Sequence, residues 1–96
     1  MERQPGFIGR LLSHGSENGV TLHHLEKMTG LSGREVRREI ERERRGGELI
    51  ISDNKNGYYL TDDPAEAQRF ARSMRRRALE ITRTARAVEK AAGGGD

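Results

Sequence analysis

The residues best suited to chemistry lie in LSGREVRREIERERRGG, residues 31–47, where the fourteen positions from Ser32 to Arg45 hold ten charged side chains. Six of the ten are arginines. An arginine presents a planar fork of donors that fits a phosphate oxygen pair or the O6/N7 edge of guanine. On a helix with Val36 set at 0° and 100° per residue, Ile40 falls at roughly 40°. Arg34, Arg38, Arg42 and Arg45 then gather on the opposite side, at roughly 160° to 240°. Glu35, Glu39 and Glu43 fall together on one flank, Arg37 and Arg44 on the other, and Glu41 borders the arginine side. A face needing only solvation gains from opposite charges four apart, whereas rows of like charge cost about 0.2–0.5 kcal/mol per pair. The pairs Glu35–Arg38, Glu39–Arg42 and Glu41–Arg45 offset part of that cost. The segregation still favours an anionic partner over an ordinary charged surface.

Charge is uneven along the whole chain. Its net value of +3 over 96 residues is the sum of 0 over residues 1–31, +2 over 32–45, −3 over 46–63, +5 over 64–92 and −1 from Asp96. Two positive segments in a weakly charged chain suit a polyanion. The absence of cysteine excludes disulfides and thiolate zinc sites. His23 and His24 are adjacent, so on a helix they diverge by about 100° and do not chelate one metal together. They are read as surface residues, with a backbone contact as the alternative. No glycine-rich phosphate loop and no converging His/carboxylate set is present, so neither an enzyme, a metal nor a cofactor is expected. The start, MERQPGFIGRLLSHG, lacks the apolar run of a signal peptide, and no stretch reaches the roughly 20 apolar residues of a membrane span. A cytoplasmic protein of a bacterial or phage-infected cell, without membrane contact, is expected.

The elements that position these residues follow from local signals. Phe7, Ile8, Leu11 and Leu12 predict a first helix over 5–14, and GSENG at 15–19 a loop. Thr21 is an N-cap for a short helix with Leu22, Leu25 and Met28 on one stripe, and Gly30 stops it. Ser32 with Glu35 forms a capping box that opens the charged helix, and Gly46-Gly47 closes it. Only Val36 and Ile40 are strongly apolar there, so that helix must rest on the core along a narrow edge. LIIS and YYL around DNKNG predict a hairpin, with Tyr58 and Leu60 inward and Tyr59 outward. Asp63-Pro64 with Glu66 opens a last helix that nothing interrupts before Gly93.

The resulting order is helix, helix, tight turn, helix, hairpin, long helix, an α+β fold that is mainly α. VTLHHLEKMTGLSGREVRREIERERRGGELIISDNKNGYYL, residues 20–60, resembles the winged helix-turn-helix of the biotin-operon repressor type. The resemblance covers less than half of the chain. More loosely, a small winged helix followed by one long helix looks like accessory proteins of bacteriophages. The ligase chemistry of the repressor family is not implied. The domains expected are a winged helix-turn-helix over 1–62, a long dimerising helix over 63–92 and a flexible tail over 93–96.

In a helix-turn-helix, the N-terminal part of the third helix enters the major groove and the second crosses the backbone. Arg34, Arg37 and Arg38 would then reach base edges, and Arg42 and Arg45 phosphates. Ser32 and the free N–H groups beside Gly33 would suit a phosphate. Lys55 is the one cation of the turn DNKNG, so a wing contact would be thin.

The last helix would run about 43 Å over residues 64–92. Ala67, Phe70, Met74, Ala78, Ile81, Ala85 and Val88 follow a spacing close to a heptad seam. Phe70, Met74, Ile81, Ala85 and Val88 are therefore the candidate dimerisation residues, and a second copy of the chain is the simplest cover. Arg69, Arg72, Arg75, Arg76, Arg83, Arg86 and Lys90 lie opposite, as a solubilising surface or a second backbone contact, with Leu79 among them. The function expected is binding of double-stranded DNA by a homodimer, in transcription regulation or replication. The alternative is a protein-interaction or scaffolding module that assembles through the same long helix.

Overall fold

A computed structural model describes residues 7–93. The chain is α+β and mainly helical: α1 spans Leu22–Thr29, α2 Gly33–Arg45, β1 Ile50–Asp53, β2 Gly57–Leu60 and α3 Pro64–Ala91. Short 3-10 turns at Gly9–Leu11 and Ser16–Asn18 precede α1. Ile8, Leu12, Leu25, Val36, Ile40 and Ile50 form the core, drawn from the segment around the first 3-10 turn, α1, α2 and β1. Leu22, Leu31, Tyr58 and Leu60 pack around its edge.

The expected helix starts are present with their chemistry. The Thr21 hydroxyl accepts from the His24 amide, and Gly30 ends α1 in the left-handed region at φ 77°. Ser32 and Glu35 close a capping box at the start of α2: the Ser32 hydroxyl accepts from Glu35 N and the Glu35 carboxylate from Ser32 N. Asp63 caps α3 by accepting from Ala65 N, with Pro64 at the first helical position.

The first helix is a correction. Of the span expected over 5–14, residues 5 and 6 lie outside the described residues, and the rest forms only the 3-10 turn Gly9–Leu11. The backbone there has better partners than a helix would supply. Ile8 N and Gly9 N donate to the Glu43 carboxylate at 2.7 and 2.9 Å. Further on, Leu60 N donates to Ser13 O and Gly15 N to Leu60 O, which draws the chain out alongside β2. Val20 and Tyr58 exchange both backbone hydrogen bonds at 2.8 Å, so the segment before α1 also lies beside the hairpin. Gly19 and Gly57 make this approach possible: a Cβ at Gly19 would stand 2.0 Å from Asn56 O, and one at Gly57 2.4 Å from Val20 O. Gly57 also has φ 87°, a conformation other residues rarely adopt.

The hairpin pairs Ile50 with Leu60, Ile51 with Tyr59 and Ser52 with Tyr58. Tyr58 and Leu60 pack on the core as expected. Tyr59, expected to point outward, is buried, as is its cross-strand partner Ile51. The first turn of α3 supplies the reason. Glu66 accepts from the Tyr59 hydroxyl at 3.0 Å and from the Thr61 hydroxyl at 2.7 Å, so the second side of the hairpin is tied to α3. Burial, followed by the bond to Glu66, pushes the Tyr59 phenol up to about 12. Beyond Phe70 every residue of α3 is exposed. No helix among the described residues is long and apolar enough to cross a membrane.

Candidate functional site

The charged helix α2 divides its side chains between two tasks. Val36 and Ile40 enter the core, as expected, but they are accompanied by Glu39 and Glu43, both buried. Glu43 holds the backbone of Ile8 and Gly9, and burial raises its carboxyl above the usual glutamate value, with Glu39 adding to the effect. Gly9 fits because it has no Cβ, which would stand 3.1 Å from a Glu48 oxygen and 3.5 Å from Glu43 Oε1. Two carboxylates, Glu43 and Glu48, thus flank this turn of backbone.

Arg44 is likewise occupied. Its Nε donates to Ile50 O at 2.8 Å, and its guanidinium lies 4.9 Å from the centre of the Phe70 ring. Partial burial lowers its pKa from the usual arginine value. The side chain joins α2 to β1 and to the second turn of α3. Neither Glu43 nor Arg44 was singled out from sequence as structural, yet the helical wheel carried the signal. Glu43 lies at roughly 340°, about 20° from Val36, and Arg44 at roughly 80°, about 40° from Ile40.

The remaining arginines face outward. Arg34, Arg37 and Arg38 are exposed, and among the described residues none has a carboxylate within ion-pair distance. The expected Glu35–Arg38 pair is not formed; Glu35 turns back to Ser32, whose backbone and hydroxyl hydrogen bonds hold its carboxyl below the usual range, with a smaller contribution from Arg38. Arg42 and Arg45 have the expected partners, Glu39 at 3.9 Å and Glu41 at 3.6 Å. The Arg45–Glu41 pair is exposed on both sides and contributes about 0–1 kcal/mol, whereas in the Arg42–Glu39 pair only the arginine is exposed.

Ser32 and Gly33 stand at the start of α2 but their surroundings are acidic. Glu35 already accepts from Ser32 N. A Cβ on Gly33 would meet Glu26 Oε2 at 2.9 Å and Leu22 Cδ2 at 3.2 Å, so this glycine lets α1 and α2 approach closely.

Lys55 is exposed in the turn of the hairpin. That turn is fixed by Asp53, which accepts from the backbone N–H groups of Lys55 and Asn56 and from the Asn56 side chain. These bonds, those from Asn56 foremost, hold the Asp53 carboxyl below the usual range. A groove of about 830 Å³ opens between α2, the hairpin and α3. Arg37, Arg44, Lys55 and Arg77 line it against Glu41 and Asp53, so cations outnumber carboxylates along its walls. Arg77, from α3, is a cation of this region that helical spacing did not associate with α2.

His23 is exposed and lies 3.7 Å from Glu26, and His24 is exposed beside it. Among the described residues no three His, Cys, Asp or Glu side chains are grouped to hold a metal ion. In α3, Phe70 is half-buried beneath Arg44, whereas Met74, Ile81, Ala85 and Val88 are exposed, as is Leu79 on another side. No family model matches the chain, and no curated protein or solved structure is significantly similar to it.

Proposed function

We propose that residues 20–60 form a winged helix-turn-helix and that the protein binds double-stranded DNA with α2 in the major groove. The observation that carries this reading is the exposure of Arg34, Arg37 and Arg38 without carboxylate partners among the described residues, on a helix whose other charged groups are mostly engaged. α1 and α2 are separated by Gly30–Ser32 alone, and a hairpin follows α2, the order such domains use.

Arg34, Arg37 and Arg38 occupy the first two turns of α2, the part that reaches base edges in this docking mode. Each bidentate contact with guanine contributes about 1–3 kcal/mol of discrimination. Arg42 and Arg45, further along, exchange Glu39 and Glu41 for phosphates. Lys55 and Arg77 reach backbone from the hairpin and α3. Ser32 and Gly33 serve chiefly to hold α2 in place: the carboxylates of Glu35 and Glu26 already stand where a phosphate would approach.

Titration of a random-sequence duplex at several salt concentrations tests the proposal. Neutralisation of six to eight phosphates gives a log–log slope of about −5 to −7. No binding at low salt would remove DNA as the partner. The second reading, an interaction module that works through protein contacts, is favoured by one observation, the uncovered apolar side of α3. It predicts self-association with no affinity for duplex.

A further inference from the structure

Beyond Phe70 α3 carries an apolar face, Met74, Ile81 and Val88, that is exposed among the described residues. Ala71, Ala78, Ala85 and Ala92 recur every seven residues, and between them Ala67, Met74, Ile81 and Val88 recur with the same period. Met74 is 45% exposed, Ile81 63% and Val88 62%. A strict seven-residue repeat of two apolar positions is the pattern of a helix paired along its length. Arg69, Arg76, Arg83 and Lys90 repeat in step on the side away from this face, as solvated outer positions do.

We infer that α3 pairs with α3 of a second copy, and that the two helices run antiparallel. The distribution of side-chain size selects the direction. In a parallel pair, like positions meet, so layers of two alanines alternate with layers of two large side chains. That leaves gaps at the alanines or strain at the others. In an antiparallel pair Ala78, Ala85 and Ala92 can each meet a large residue. A two-fold axis near Arg83 sets Ala78 against the partner's Val88, Ala85 against the partner's Ile81 and Ala92 against the partner's Met74, each twice by symmetry. Every layer then has nearly the same thickness.

Charge at the flanks selects the same direction. The residues bordering the seam on one side are Gln68, Arg75, Thr82 and Glu89. In the antiparallel register Arg75 faces the partner's Glu89, and the symmetric contact repeats it. In the parallel register the residues that meet across the flanks are Arg77 with Thr82 and Thr84 with Glu89, which form no ion pair. Within its own chain Glu89 has no ion-pair partner among the described residues. The surface is thus complementary to itself when reversed, which identifies a second copy of this chain as the occupant.

The pairing does not depend on DNA binding, and it sets the geometry of the assembly. The two bodies lie at opposite ends of the paired helices rather than side by side, and the partner's helix ends beside Met74 at the mouth of the groove.

The experiment uses the full chain, whose lack of cysteine makes an introduced thiol unique. Arg72→Cys places a spin label on the exposed side of α3, eleven residues from the axis. Sedimentation of this protein should show a dimer, and the label–label distance should be about 30–40 Å, from 1.5 Å per residue on each side of the axis. A dimer with labels closer than about 20 Å would overturn the antiparallel arrangement, since parallel helices lie 8–10 Å apart. A monomer at tens of micromolar would overturn the pairing. Ile81→Asp should weaken the dimer more than tenfold while the body melts normally, because Ile81 is exposed and lies eleven residues beyond Phe70 along α3. An unchanged dimer in Ile81→Asp would equally contradict the assignment.

Discussion

Within α2, two sets of charged side chains have opposite fates. Glu39, Glu43 and Arg44, in the second half, are taken into the fold: a carboxylate holds the amides of Ile8 and Gly9, and a guanidinium holds the Ile50 carbonyl and covers Phe70. Arg34, Arg37 and Arg38, in the first half, are exposed and have no carboxylate partner among the described residues. Charge density is high throughout, so density alone does not mark a binding surface. The proposed binding surface is distinguished instead by the freedom of its side chains. The engaged set should govern stability and the free set affinity, and the two should separate under mutation.

The largest effect is expected inside. Glu43→Ala leaves two buried N–H groups without an acceptor, at about 1–3 kcal/mol each. For a domain of this size, a loss of roughly 3 kcal/mol lowers Tm by more than 10 °C. Urea or thermal unfolding checks it. A change below 1 kcal/mol would mean that the bonds to Ile8 and Gly9 contribute little. Arg44→Ala should follow at about 1–2 kcal/mol, from one charged hydrogen bond and the contact over Phe70.

The free set gives the converse result. Arg38→Ala should weaken binding to a selected target by about 10–100-fold, the equivalent of one base contact, and leave stability within about 0.5 kcal/mol. Arg76→Ala, on the outer side of α3, should act evenly on all sequences and far less. Equal losses from both would remove Arg38 as a base reader. Lys55→Ala should have the smallest effect, reducing the salt slope by about 1 without changing sequence preference.

Titration sharpens the same contrast. Burial raises the Glu43 carboxyl, so the folded chain holds this proton more tightly than the unfolded one. Its contribution is therefore fully present below the unfolded value, about 4.3, and is lost as pH rises through the folded one. The stability difference between wild type and Glu43→Gln should shrink over that window and then level off. A difference independent of pH between 3.5 and 7 would contradict the assignment, by the same linkage.

Much of this organisation was legible in the sequence because it depends on neighbours. The Ser32–Glu35 capping box, the Thr21 and Asp63 caps, Gly30 and the hairpin around DNKNG all rest on residues within a few positions of one another. The errors arose where distant partners intervened. The helix expected at 5–14 yields because Glu43, about 35 residues away, takes the amides of Ile8 and Gly9. Tyr59 turns inward because α3 brings Glu66 to it, and alternation along a strand is silent about a second covering layer. Arg77 meets the wall of the groove through the placement of α3, which no local signal reports. The arginine side of α2, in contrast, was visible from helical periodicity alone, since it required only the position of Val36 and Ile40 in the core.

The most direct test of the central claim compares wild type with the triple variant Arg34→Ala, Arg37→Ala, Arg38→Ala, measuring duplex DNA affinity at two salt concentrations and unfolding in parallel. If these arginines contact DNA, the variant loses more than 100-fold in affinity, its salt slope is shallower by about 2–3, and its melting temperature is unchanged. Undiminished binding with the same slope would contradict that contact and move the function of this protein away from the exposed side of α2.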